Sequence, residues 1–477
     1  MSLNAADTTF ADKLRVLLPE DTLRDADAKY LEEPRGRFQR KSALLALPRS
    51  TEHVATIVRA CAAAKVGLVP YGGGTGLVGG QVLADGPTPV VLSLERMNMI
   101  RSVSAASNVL VAEAGCVLAD VQAAAENAGR LFPLSLAAQG TAQIGGNLST
   151  NAGGLNVLRY GNARDLCLGL EAVLPNGEIF RGLSPLRKNN TGYDLKNLLI
   201  GAEGTLGVIT AASLRLFSQP ADHETAMLAV PSVEAALELL SLAQAHFGET
   251  INAFELIARQ SLEFLQECLP HIRLPFSEIP EWAVLIELGL PKSMQGQECL
   301  AKMLQEALQV GLVQDGMLAR SEKQRDEFWT VRENIPAANR IIGSISSHDV
   351  SVPIERIADF ISEGRDVVAK IGPFRVNCFG HLGDGNLHFN VFPPVGRNKS
   401  EYKVLQADIQ RAVHDLVHQY GGAFSAEHGV GRLKTDDLER YSDPVKLDTM
   451  RAVKRLFDPK GIMNPGSMIS DLISPLN

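Results

Sequence analysis

Three glycine-dense stretches constrain this chain more than any other feature. They read "YGGGTGLVGG" at 71–80, "QIGGNLSTNAGG" at 143–154 and "GAEGTLG" at 201–207. Consecutive glycines let backbone N–H groups converge on one point that side chains would block, and such a nest suits a pyrophosphate. No Gly-Lys-Ser/Thr follows the first stretch, so it is not a P-loop, and no acidic residue stands where a dinucleotide fingerprint needs one. Taken alone, it reads equally well as a mobile turn. The second stretch shifts that balance. Ser135, Gly140, Thr141, Gly145, Gly146, Asn147, Ser149, Thr150 and Asn151 set small hydroxyl and amide groups among glycines. Such groups can line a flat heteroaromatic ring and satisfy its edge atoms.

The chain has 477 residues, enough for two to four domains. Its net charge of -8 and the lack of a basic, aromatic-interleaved stripe argue against a nucleic-acid binder. No apolar stretch is long enough for a membrane span. The opening "MSLNAADTTFADKLRVLLPE" lacks the basic start and apolar run of a secretory signal, and Asp7 and Asp12 count against a transit peptide. The six scattered cysteines form no CxxC pair and read as reduced, so a cytoplasmic protein is expected. A homodimer is among the assemblies this chain admits.

Residues 1–40 are expected to form a helical lead-in and a charged loop. Residues 41–217 form an α+β block with β runs such as "PVVLSL" and "NVLVAEAG". In "STEHVATIVRACAAAKVG", Val54, Ile57, Val58 and Cys61 share one helix face, with Ser50 and Gly67 as caps. "VLADVQAAAENAG" is a second helix, and "LEAVLPNGEIFRG" is a hairpin. Residues 218–420 alternate long helices with β runs, giving an antiparallel sheet with helices on one face. Residues 421–477 form a C-terminal, largely helical segment.

In order, "PYGGGTGL", "GGNLSTNAGG" and "EGTLGVIT" resemble the two-subdomain FAD-binding domain of vanillyl-alcohol-oxidase-type flavoproteins. The resemblance assigns residues 41–217 to that domain and 218–420 to a substrate (cap) domain, within an α+β fold. It implies that Pro70, Tyr71, Gly72, Gly73, Gly74, Thr75, Gly76 and Leu77 hold the pyrophosphate. The second loop, with Gly204, Gly207, Val208 and Ile209 of the third, then lies along the ribityl chain and isoalloxazine ring. Pro70–Val82 contains no histidine or cysteine, so non-covalent FAD is expected.

A second feature lies in "GHLGDGNLHFN", Gly380–Asn390. Asp384-Gly385 is a hairpin-turn signal that returns His388 toward His381. Two neutral imidazoles suit a divalent ion, and Glu427 in "SAEHGVG" offers a carboxylate. The alternative is three separate polar residues. A His/His/Glu set leaves positions at which a 2-hydroxy acid could bind through its carboxylate and hydroxyl.

These segments resemble the D-2-hydroxyglutarate and D-lactate dehydrogenase branch of the same flavoproteins. The resemblance implies zinc on His381, His388 and Glu427, with His428 as general base. It further implies that Asn390 contacts substrate and that Arg332 pairs with a substrate carboxylate. The C-terminal segment would then complete the active site, and the acceptor would be electron-transferring flavoprotein or a quinone. The hydroxyglutarate enzymes typically carry a lysine where this chain has Ser347 and a threonine where it has Pro336. Those departures favour a shorter acid such as D-lactate or D-malate, or a relaxed range. An alkyl-glycerone-phosphate-synthase-like transferase and a flavin subunit of a glycolate-oxidase-like complex are the alternatives.

Overall fold

The structure is a computed structural model that describes residues 3–469. The chain forms two compact units. One combines the residues up to Gly154 with Gly161–Gln219 and the chain from Glu427. The other combines Leu155–Tyr160 with Pro220–Ala426.

In the first unit a four-stranded sheet has the order β1-β2-β4-β3, from β1 (Leu23–Asp25), β2 (Leu44–Ala46), β3 (Leu68–Tyr71) and β4 (Val90–Ser93). β2 and β3 flank β4 in parallel, and β1 joins β2 antiparallel. Parallel strands need a crossover, and helix Thr51–Ala64 supplies it between β2 and β3. Its N-terminus is capped as expected, with the Ser50 side chain accepting from the His53 N–H. Its C-terminus differs. Lys65 takes the left-handed conformation, φ 53°, and donates to the Cys61 carbonyl. Gly67 lies two residues further on, where an added Cβ would stand 3.2 Å from Pro465 Cγ.

A five-stranded antiparallel sheet follows in the order β5-β6-β10-β8-β9: β5 (Ile100–Ser104), β6 (Val109–Glu113), β8 (Cys167–Val173), β9 (Ile179–Gly182) and β10 (Val208–Arg215). β8 and β9 are the expected hairpin, turning at Gly177, φ 81°. Helix Leu118–Asn127 is followed by Gly129, φ 67°. A short ribbon joins β7 (Arg130–Leu131) to β11 (Phe217–Ser218).

The second unit is built on seven antiparallel strands in the order β15-β12-β14-β13-β17-β18-β16. They are β12 (Asp222–Val230), β13 (Ile251–Ala258), β14 (Trp282–Leu290), β15 (Asp315–Leu318), β16 (Ser346–Ser351), β17 (Arg375–His381) and β18 (Asn386–Phe392). Helices cover both faces of this sheet, not one. Val233–Phe247, Gly296–Gln309, Ile357–Ala369 and Gln406–Gln419 pack one face through Leu239, Met303, Phe360 and Val413. Arg259–Cys268 and Glu322–Ile342 pack the other through Phe264, Leu265, Phe328 and Val331. Strands β13 and β14 are buried on both sides, so they read as almost unbroken apolar runs.

Candidate functional site

Pro70 and Tyr71 end β3, and Gly72–Leu77 form the loop beyond it. The glycines are there for close approach. A Cβ on Gly73 would stand 2.0 Å from the Thr141 carbonyl oxygen, and one on Gly74 2.2 Å from the Tyr71 hydroxyl. The backbone N–H groups of Gly72–Leu77 donate to no acceptor among the described residues. A run of backbone donors without protein acceptors at a strand end suits an anionic pyrophosphate. Ser135, Gly140 and Thr141 lie in the connection before helix Ile144–Ser149. Gly145, Gly146, Asn147 and Ser149 lie within that helix, and Thr150 and Asn151 close it, Asn151 at φ 50°. Gly204 and Gly207 form the turn into β10, where Val208 and Ile209 are the first two residues.

The histidines owe their placement to the period-two alternation of strands. In β18, Leu387, Phe389 and Val391 point to one buried core, while Asn386, His388 and Asn390 point to the opposite face. His388 pairs with Phe379 across β17, and His381 pairs with Asn386. The two histidines are therefore diagonal neighbours on one face, with ring centroids 5.7 Å apart and planes at 77°. The reversal between them is longer than a two-residue turn. It is a 3-10 turn, Leu382–Asp384, closed by Gly385 at φ 79°. Asn390 is buried on the same face, beside Ser347 of β16 and Asn377 of β17.

Two neighbours on this face escaped the sequence reading. Asp349 is the cross-strand partner of His388 and accepts from Asn386 Nδ2 at 2.9 Å. Glu255 is the cross-strand partner of His381. Its Oε1 lies 2.6 Å from His381 Nδ1, and its Oε2 accepts from Arg332 Nε at 2.7 Å. Burial alone would raise this carboxyl, but His381 and Arg332 bring it down to about 2. Arg332 lies on helix Glu322–Ile342, 4% exposed, with its guanidinium 4.9 Å from the Phe379 ring centre. A lone charge in an apolar strand needs a partner. "INAFELIA" carried that signal at Glu255.

Glu427 follows Ala426, whose N–H donates to the Asp349 carbonyl, so the chain itself carries it to the strand beside His388. Among the described residues, His381, His388 and Glu427 offer donor atoms that all lie within 4.8 Å of one another. Two imidazoles and a carboxylate fit a borderline divalent ion such as zinc. The stretch from Glu427 to Arg432 also contacts all three glycine loops. Glu427 Oε1 accepts from the Gly154 N–H at 2.9 Å. Glu203, in the left-handed region at φ 51°, accepts from the Val430 and Gly431 N–H groups, each at 2.7 Å. Arg432 donates to the Gly79 and Gly80 carbonyls, each at 2.8 Å. His428 sits half-buried in this braced segment. The roles of Glu203 and Arg432 are visible only once the chain is folded.

Comparison with known proteins places these features in a family. Residues 42–182 match the FAD binding domain, and residues 219–468 match the FAD linked oxidases, C-terminal domain. A D-2-hydroxyglutarate dehydrogenase of Stutzerimonas stutzeri (strain A1501) is 36% identical over 470 residues, covering 97% of this chain and 99% of its own. The mitochondrial D-2-hydroxyglutarate dehydrogenase of Bos taurus is 39% identical, covering 95% of this chain and 81% of its own. The Arabidopsis thaliana protein of that name is 35% identical over 97% and 81%. Among solved structures, p-cresol methylhydroxylase with substrate bound superposes with a TM-score of 0.78 at 16% identity over the whole of both chains. Alkyldihydroxyacetonephosphate synthase superposes at 0.71 and 17% identity, over 98% of this chain and 86% of its own. These last two show a shared fold.

Proposed function

The chain belongs to the FAD-linked oxidase family, and from that premise we propose that it is an FAD- and metal-dependent dehydrogenase oxidising a D-2-hydroxy acid to the 2-oxo acid. The observation that carries the metal-dependent reading is the convergence of His381, His388 and Glu427. The names of the relatives support the substrate class.

When bound, FAD supplies the acceptor for the hydride leaving C2, and a divalent ion supplies charge that lowers the pKa of the substrate hydroxyl. The protein's own groups do the rest. His381, His388 and Glu427 would hold the ion. His428 takes the hydroxyl proton on a ring nitrogen, as the lone pair of a neutral imidazole can. Arg332 pairs with the substrate carboxylate and Asn390 donates to it, fixing which face of C2 is presented.

Ser347 is exposed and 2.7 Å from the Ser344 hydroxyl, and Pro336 is exposed within helix Glu322–Ile342. Neither offers a cation to the distal carboxylate of a five-carbon diacid, which favours a shorter acid such as D-lactate or D-malate, or a relaxed range. The flavin is bound without a covalent link, and electrons leave to electron-transferring flavoprotein or a quinone.

The test is metal removal. Chelation followed by gel filtration should leave yellow protein that has lost nearly all reduction of an acceptor dye by D-lactate, D-malate and D-2-hydroxyglutarate. Added zinc should restore it. Full turnover in the metal-free protein would remove the ion from the reaction.

A further inference from the structure

We propose that Glu255 is a positioning residue whose one carboxylate orients both a metal-binding imidazole, His381, and the substrate-binding guanidinium of Arg332. The inference rests on the metal-dependent reading given above and extends it to a residue outside the ligand set.

Glu255 stands on β13, where every residue of Ile251–Ala258 is buried, and is itself 1% exposed. Its two oxygens are divided between two partners. Oε1 lies 2.6 Å from His381 Nδ1. Oε2 lies 2.7 Å from both Nε and Nη2 of Arg332. An ionised carboxylate only accepts hydrogen bonds, so Nδ1 must carry the hydrogen. In the neutral ring the lone pair is then on Nε2, the tautomer that can bind an ion, and the adjacent negative charge raises the basicity of that nitrogen.

The same carboxylate fixes the arginine. Binding through Nε and Nη2 holds the planar guanidinium along one edge, and the Phe379 ring, 4.9 Å from its central carbon, covers one flat side. The opposite Nη1 edge is thereby aimed in one direction. Phe379 and His381 alternate on the same face of β17, and Phe379 is the cross-strand partner of His388. Glu255, His381, Phe379 and Arg332 therefore form one buried, mutually locked group.

A purely structural Glu255–Arg332 ion pair would need only two partners. The third, His381, separates the two interpretations, because breaking a structural pair lowers stability without changing how an imidazole binds an ion. Burying a carboxylate is costly unless it is paired, and here each oxygen has its own partner, so losing the charge would release both His381 and Arg332.

The experiment measures zinc affinity by chelator competition on flavin-loaded wild type, Glu255→Gln, Glu255→Asp and His388→Ala, with flavin content of each. KM and kcat for D-lactate and D-2-hydroxyglutarate are recorded alongside. Glu255→Gln should keep its flavin, lose zinc affinity by about 10- to 100-fold, and show a raised KM as Arg332 loses its anchor. Glu255→Asp keeps the charge and should fall between that variant and wild type. Wild-type zinc affinity in Glu255→Gln overturns the proposal. Should that variant fail to fold, Glu255→Asp decides the matter, and unchanged zinc affinity in it overturns the proposal equally. Zinc binding by wild type but not by His388→Ala, with Glu255→Gln unaffected, removes Glu255 alone. A wild type that binds no zinc removes the metal-dependent reading, and this inference with it.

Discussion

At the scale of single side chains, His428 is assigned the proton and His388 the ion, and the two assignments separate experimentally. His428→Ala should slow flavin reduction by about 100-fold or more, the usual range for losing a general base. It should leave bound zinc unchanged, and rapid-mixing absorbance with D-lactate checks this. Reduction at the wild-type rate would show that His428 is not the base. How much of this was legible depends on the kind of residue. His381, His388 and Glu427 stood in short polar, glycine-flanked stretches that differ from their surroundings. Glu255 and Asp349 did not, because their places beside His381 and His388 come from cross-strand pairing. No spacing in the chain encodes that pairing. Glu203 is a third case: its carboxylate meets the N–H groups of Val430 and Gly431, more than two hundred residues away in the chain.

At the scale of elements, alternation and punctuation carried the reading. The hairpin β17–β18 was legible because "NLHFNV" alternates polar with apolar side chains behind a glycine turn. The second layer of helices was not. Helix Arg259–Cys268 buries Leu262, Phe264 and Leu265, but periodicity does not say which face of a sheet they meet. Two expectations belong here. Gly73→Ala would force a Cβ to within 2.0 Å of the Thr141 carbonyl. Overpacking of that kind should weaken FAD binding by about tenfold or more, read as flavin lost on dialysis. Retention equal to wild type would contradict the close-packed cradle.

The second concerns Glu287, the one charged residue of β14. It accepts from Arg325 Nε at 2.8 Å and from Trp329 Nε1 at 2.6 Å. Burial would raise its carboxyl, but His223, Arg325 and Trp329 bring it from 4.5 down to about 2. The folded value lies below the unfolded one, so this group's contribution is complete above about pH 4.5. It is lost as pH falls toward 2, and is worth on the order of 3 kcal/mol. Thermal midpoints between pH 6 and pH 3 should therefore fall less steeply in Glu287→Gln than in wild type. Equal slopes would contradict the assignment.

At the scale of the whole molecule, the first two glycine loops lie in the part of the chain matched by the FAD binding domain, and His381, His388 and Glu427 in the part matched by the FAD linked oxidases, C-terminal domain, while the third loop, 201–207, falls between the two matches. The return of the chain from Glu427 into the unit that carries the glycine loops was not legible. It is made by contacts such as Arg432 on the Gly79 and Gly80 carbonyls, which a linear reading cannot anticipate. No described helix is long and apolar enough to cross a membrane. The central claim is that this chain oxidises D-2-hydroxy acids on its flavin. The most direct measurement mixes the purified holoenzyme anaerobically with D- and L-lactate, malate and 2-hydroxyglutarate and follows flavin absorbance at about 450 nm. Bleaching by at least one D-acid and by none of the L-acids is the predicted result. Flavin that stays oxidised with every D-acid, while dithionite still reduces it, would contradict the claim.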